Sequence, residues 1–158
     1  MIIPMTWYFA YGSNMNRALM RGRCPGASAV GTADLPGWRF RITPDGFGSI
    51  MRQPGATVRG VLWRLGAREL AAINAYEGID SGLYVRRALP VRHAGRLVPA
   101  LVYVSPRAGE GVPRPAYIQL IADAAREWRL PAAYIRALER WSPSRWRGAR
   151  PKDTGDFA

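Results

Sequence analysis

Two amphipathic runs led by proline stand near the end of the chain, after a long series of short β-branched and aromatic segments. This segregation does most to limit the fold. Pro115 to Arg129 carries an apolar stripe of Ile118, Ile121, Ala122, Ala125 and Trp128 at helical spacing, and Pro131 to Trp141 reads as a second helix. The segments before them read as strands: Thr6 to Tyr11, Ala27 to Leu35, Gly37 to Thr43, Thr57 to Leu65, Leu83 to Arg92 and Leu97 to Val104. Ala94-Gly95 joins the last two as a hairpin, Pro36-Gly37 splits the second from the third, and Cys24-Pro25-Gly26 and Pro44-Asp45-Gly46 are turns. Only Met15 to Arg21, with Asn14 as its N-cap, and Ala67 to Tyr76, stopped by Gly78, interrupt as helices. Pro106 to Pro115 reads as a loop. Six or seven strands with helices gathered at the end make an α+β fold, not a doubly wound sheet. No GxGxxG, GxxxxGK[ST] or GxSxG occurs, which removes the common nucleotide folds and the nucleophile-elbow hydrolases.

At 158 residues the chain has the length of one domain. The reading is a single domain over 1–141 and a basic C-terminal tail over 142–158. The net charge of +12 invites a nucleic-acid partner. All but one of the 23 basic residues are Arg, the exception being Lys152, and they are spread along the whole chain. That spread favours a solvated surface over a nucleic-acid footprint. The densest stretch, Arg136 to Lys152 with Trp141 and Trp146, is where RNA contact would be looked for. One Cys allows no intrachain disulfide, one Cys and one His make no zinc site without several carboxylates beside them, and being single they leave little room for a Ser-His-Asp or Cys-His enzyme. Met1 to Asn16 lacks a basic n-region, and no run of ~18 apolar residues exists, so no membrane is expected and the location expected is cytoplasmic.

The most informative run is Tyr8-Phe9-Ala10-Tyr11-Gly12-Ser13-Asn14. A strand that ends in Gly-Ser-Asn and turns into a helix exposes backbone N–H groups that suit a carboxylate or phosphate. Alone, such a junction is more often structural punctuation. It is followed in order by Gly60-Val61-Leu62-Trp63, by Tyr76-Glu77-Gly78 through Gly82-Leu83-Tyr84, by Ala116-Tyr117-Ile118 and by Leu130-Pro131-Ala132-Ala133-Tyr134. This ordered set resembles the γ-glutamylcyclotransferase family over roughly residues 8 to 138. The resemblance implies a small mixed β-barrel flanked by helices, with no cofactor and no metal. It implies cyclisation of a γ-glutamyl group to 5-oxoproline with release of an amine. Its partner would be a small-molecule γ-glutamyl substrate, and a homodimer is compatible with it. By matching positions, Glu77 is the catalytic acid and base. Tyr8, Phe9, Ala10, Tyr11, Gly12, Ser13, Asn14, Tyr84 and Tyr103 are the substrate-binding residues. One departure stands out: relatives usually have Asp three residues before the Glu, where this chain has Asn74.

The residues suit that chemistry. In cyclisation the substrate's own α-amine attacks its γ-carbonyl, so the protein supplies no nucleophile. It must hold the α-carboxylate, take a proton from the ammonium and return one to the leaving amine. A carboxylate near pKa 4.3 is poorly matched to that task, and burial would raise it. Glu77 ends an apolar helix face among Ile73, Ile79 and Leu83, whereas Glu69, Glu127 and Glu139 sit among Arg neighbours and Glu110 in a Gly/Pro loop. Ser13 has no activating His or Lys nearby, Asp80 reads as a turn residue, His93 as structural and Cys24 as a small buried apolar residue. Two other functions remain open: cyclising removal of a γ-glutamyl group from an amine natural product, and a non-enzymatic basic binding module.

Overall fold

The computed structural model describes residues 5–142. Strand β1 (Thr6–Ala10) runs into a 3-10 turn (Ser13–Met15) and helix α1 (Arg17–Arg23). Strands β2 (Ser28–Ile42) and β3 (Gly48–Leu65) form a long hairpin, followed by α2 (Ala67–Tyr76). The hairpin of β4 (Val85–His93) and β5 (Arg96–Val104) precedes α3 (Tyr117–Glu127) and α4 (Ala132–Glu139). The strands close into a barrel in the order β1-β3-β2-β4-β5. Every neighbouring pair is antiparallel except β1 with β5, which is parallel and closes the ring. This is the α+β mixed barrel expected. Among the described residues no helix is long and apolar enough to cross a membrane.

The barrel has five strands, not six or seven, and the difference lies in β2 and β3. Pro36-Gly37 does not separate two strands. Pro36 pairs with Thr57 and Trp38 with Arg52, so residues 53–56 of β3 lie opposite Gly37, which takes φ 85°. A proline without an N–H is accommodated at such an irregularity while the strand continues past it. Gly48 to Arg52, which the sequence leaves unassigned between the Pro44-Asp45-Gly46 turn and the strand from Thr57, pairs with Trp38 to Ile42. The helix starts also shift. Asn16, not Asn14, caps α1, its Oδ1 accepting from Leu19 N at 3.0 Å. Pro115 precedes α3, whose N-cap is Ala116 in the left-handed region. The expected basic tail lies outside the described residues beyond Ser142.

Alternation along the strands puts Phe9, Leu35, Val58, Leu62, Val91 and Val102 in the core. Each such side chain contributes roughly 1.5–3 kcal/mol by leaving water. Gly60 lets β3 approach β1. A Cβ there would stand 2.2 Å from the Ala10 carbonyl oxygen. Helix α3 buries Ile118, Ile121, Ala122 and Ala125, and Trp128 just after it donates from its indole to Met15 O at 2.7 Å. That bond ties the helical pair to the 3-10 turn at the end of β1.

Candidate active site

Glu77 owes its place to Gly78. The glycine adopts φ 63°, its N–H bonds Ala75 O, and the next N–H, of Ile79, reaches back to Asn74 O at 3.2 Å. This is a Schellman ending, so Glu77 is the C-cap of α2, at φ −80° and ψ 0°. The helix stops there because the chain needs a left-handed residue that only glycine supplies cheaply. From this position Glu77 lines a cavity with Tyr8, Phe9, Tyr11, Gly12, Ser13 and Asn14 from β1 and its turn. Tyr84, Tyr103 of β5 and Tyr117 of α3 complete the wall, with Phe47, Gly48, Tyr76 and Leu83. Counted out to its open mouth and including solvent space, the cleft holds ≈ 550 Å³.

Burial pushes the Glu77 carboxyl from 4.5 up to about 7, against the pull of the Arg23 cation, which lowers it. The phenols around it are raised as well, first by their own burial and, for Tyr8, Tyr11, Tyr84, Tyr103 and Tyr117, also by the Glu77 charge. They stay neutral and serve as hydrogen-bonding groups. Tyr11 donates to Tyr103 O at 2.5 Å and Tyr84 to Gly48 O at 2.6 Å. Gly48 N donates to the Tyr117 hydroxyl at 2.9 Å. Tyr103 donates to Asn74 Oδ1 at 2.5 Å, so the departure at position 74 holds a wall residue without adding a carboxylate.

The same cavity holds a different kind of group. Ser13 and Asn14 are the first residues of the 3-10 turn, so their N–H groups have no partner within it. Gly12 before them carries no side chain to cap them. A run of backbone donors beside a carboxyl that is half-protonated at neutral pH can take an anion and exchange a proton within one ligand.

Every residue singled out from the sequence lines this cavity except Ala10, which is buried with its carbonyl against Gly60. Ser13 Oγ accepts from Arg23 at 3.2 Å. Asp80 is exposed, His93 bonds Thr32 O through Nδ1 at 2.9 Å, and Cys24 is a buried free thiol. Glu110, Glu127 and Glu139 sit in ion pairs with Arg39, Arg17 and Arg126. The sequence reading misses Arg23, Tyr76, Tyr117 and the Phe47-Gly48 turn as site residues. Tyr76 and Tyr117 stand inside two of the quoted blocks, a signal that could have found them. Arg23 has no local signal among so many arginines.

Residues 57–138 match the model of the AIG2-like family. A gamma-glutamylcyclotransferase of Mus musculus is 28% identical over 152 residues, covering 89% of this chain and 81% of that protein. One of Homo sapiens is 27% identical over 161 residues, covering 95% and 86%. The solved structure of a gamma-glutamyl cyclotransferase superposes with a TM-score of 0.81 at 26% identity, covering 98% of this chain and 94% of that one.

Proposed function

Since this chain belongs to the AIG2-like family, we propose that it is a γ-glutamylcyclotransferase, converting a γ-glutamyl amide to 5-oxoproline and a free amine or amino acid. The observation that carries this reading is a single one. A carboxyl held at about 7 lines a cavity together with Gly12, Ser13 and Asn14, and the N–H groups of Ser13 and Asn14 have no partner within their 3-10 turn.

The backbone N–H groups hold the substrate α-carboxylate, which leaves the α-ammonium to meet Glu77. The Glu77 carboxylate takes the ammonium proton. The freed nitrogen then attacks the γ-carbonyl carbon, forming the five-membered ring. As the C–N bond to the leaving amine breaks, Glu77 returns the proton to that amine, and the carboxylate so regenerated takes the second proton of the ring nitrogen, leaving the neutral lactam. A pKa near 7 suits both halves, because the same group must accept and then release within one turnover. Holding amine and carbonyl on one folded substrate replaces a bimolecular encounter, which accounts for the absence of a protein nucleophile from the scheme.

The test is the identity of the attacking atom. A panel of γ-glutamyl dipeptides, γ-glutamylamines and glutathione is expected to give 5-oxoproline, without oxygen incorporated from labelled water. The matching N-acetyl-γ-glutamyl compounds are expected to be inert. Free glutamate as first product, or turnover of an N-blocked compound, would make the chain a hydrolase.

A further inference from the structure

Arg23 closes α1 and is half-buried beside the cavity. Its Nη1 donates to Asn14 Oδ1 at 2.5 Å and to Ser13 Oγ at 3.2 Å. Its guanidinium carbon stands 3.8 Å from the centre of the Tyr76 ring, the residue next to Glu77. A guanidinium has donors only. The Asn14 carboxamide must therefore turn its oxygen toward Arg23 and its nitrogen away. That nitrogen donates to the Tyr8 hydroxyl oxygen at 3.0 Å. Tyr8 is the acceptor in this bond, so it keeps its own proton to give, and its side chain forms part of the cavity wall. The Tyr103 ring packs edge-on against it, centroids 5.7 Å apart. Burial, then the Glu77 charge, hold the Tyr8 hydroxyl well above its ordinary range, so it stays a neutral donor at any pH where the enzyme would work.

We propose that Arg23 is a positioning residue that sets the direction of this hydrogen-bond chain, and that the Tyr8 hydroxyl at its end donates to the γ-carbonyl oxygen during attack. The proposal rests on the cyclotransfer reading. As the amine nitrogen bonds to the carbonyl carbon, the carbonyl π pair moves onto oxygen, where the Tyr8 O–H holds it without transferring its proton. When the C=O bond re-forms, the leaving amine departs with the proton from Glu77. The donor must face the oxygen before charge develops there, and a fixed phenol meets that condition better than one free to rotate. If Asn14 were to turn over, its oxygen would face Tyr8 and draw the phenol proton away from the cavity.

Three variants test this: Tyr8→Phe, Arg23→Met and, should Arg23→Met fold poorly, Arg23→Lys. Loss of an oxyanion donor lowers kcat by about 10²–10³-fold. Tyr8→Phe is expected to show that loss with KM changed little, and Arg23→Met a loss in the same range. On the Tyr8→Phe background, Arg23→Met is expected to cost less than about 3-fold more, because residues that act as one unit are not additive. Losses that multiply, or an Arg23→Met enzyme with kcat intact, would overturn the proposal. Should the wild-type chain make no 5-oxoproline from any γ-glutamyl compound, the reaction reading fails and the Tyr8 half fails with it. The positioning half is then decided by NMR of the Asn14 side-chain amide. Faster exchange of those protons in Arg23→Met or Arg23→Lys supports it, and unchanged protection refutes it.

Discussion

Replacing Glu77 by Gln turns the burial of this carboxyl into a measurable slope. The folded carboxyl titrates at about 7 against an ordinary 4.5. At ~1.36 kcal/mol per pKa unit, that displacement corresponds to about 3 kcal/mol. The sign follows from which state releases its proton first. Below pH 4.5 both states hold the proton, and the folded protein has the full benefit of a neutral carboxyl. Between 4.5 and about 7 the unfolded chain releases it while the folded protein keeps it, so stability falls as pH rises. Above about 7 both are ionised and the loss is complete. A glutamine has no such titration. The unfolding free energy of Glu77→Gln minus that of wild type should therefore grow by about 3 kcal/mol between about pH 4 and about pH 8.5. Urea unfolding followed by tryptophan fluorescence at several pH values measures it. Taking the difference removes every contribution the two proteins share, and a constant offset from the amide is irrelevant to the slope. Curves that run parallel across the range would mean a solvated, ordinary carboxylate, and the argument for a tuned acid and base would fall with it. The same variant should make no measurable 5-oxoproline, since an amide cannot carry the proton.

Two further outcomes are expected. In wild type, kcat/KM for a γ-glutamyl dipeptide should rise as pH passes through about 7, because the base form of Glu77 is the one that accepts the ammonium proton, and a flat profile from about pH 5.5 to about pH 8 would contradict this. Gly60→Ala should cost about 3 kcal/mol and lower Tm by on the order of 10 °C, because its Cβ would press on the Ala10 carbonyl at 2.2 Å and on the Phe9 ring at 2.9 Å, and calorimetry showing an unchanged Tm would refute that packing.

Much of this protein is legible locally. Gly78 stops α2 and so makes Glu77 its C-cap, a consequence of backbone sterics that needs nothing from the rest of the chain. Ala94-Gly95 turns β4 into β5 for the same reason, and the apolar stripe of α3 announces which face it will bury. The strand before Gly12-Ser13-Asn14 and the turn after it are likewise local, and with them the row of donors at the site. What tertiary structure decided is everything that depends on pairing across the chain. Pro36-Gly37 has the composition of a turn, yet β2 continues through it because Trp38 to Ile42 finds partners at Gly48 to Arg52. Asn14 has the composition of an N-cap, yet its carboxamide is spent on Arg23 and Tyr8, and Asn16 caps the helix instead. Arg23 is one arginine among many until the fold brings it onto Ser13 and Asn14 of the 3-10 turn and over the Tyr76 ring of α2. The raised pKa of Glu77 has the same origin. A carboxyl leaves water only when aromatic side chains from β1, α2, β5 and α3 close around it, and those residues lie as far apart in the chain as Tyr8 and Tyr117.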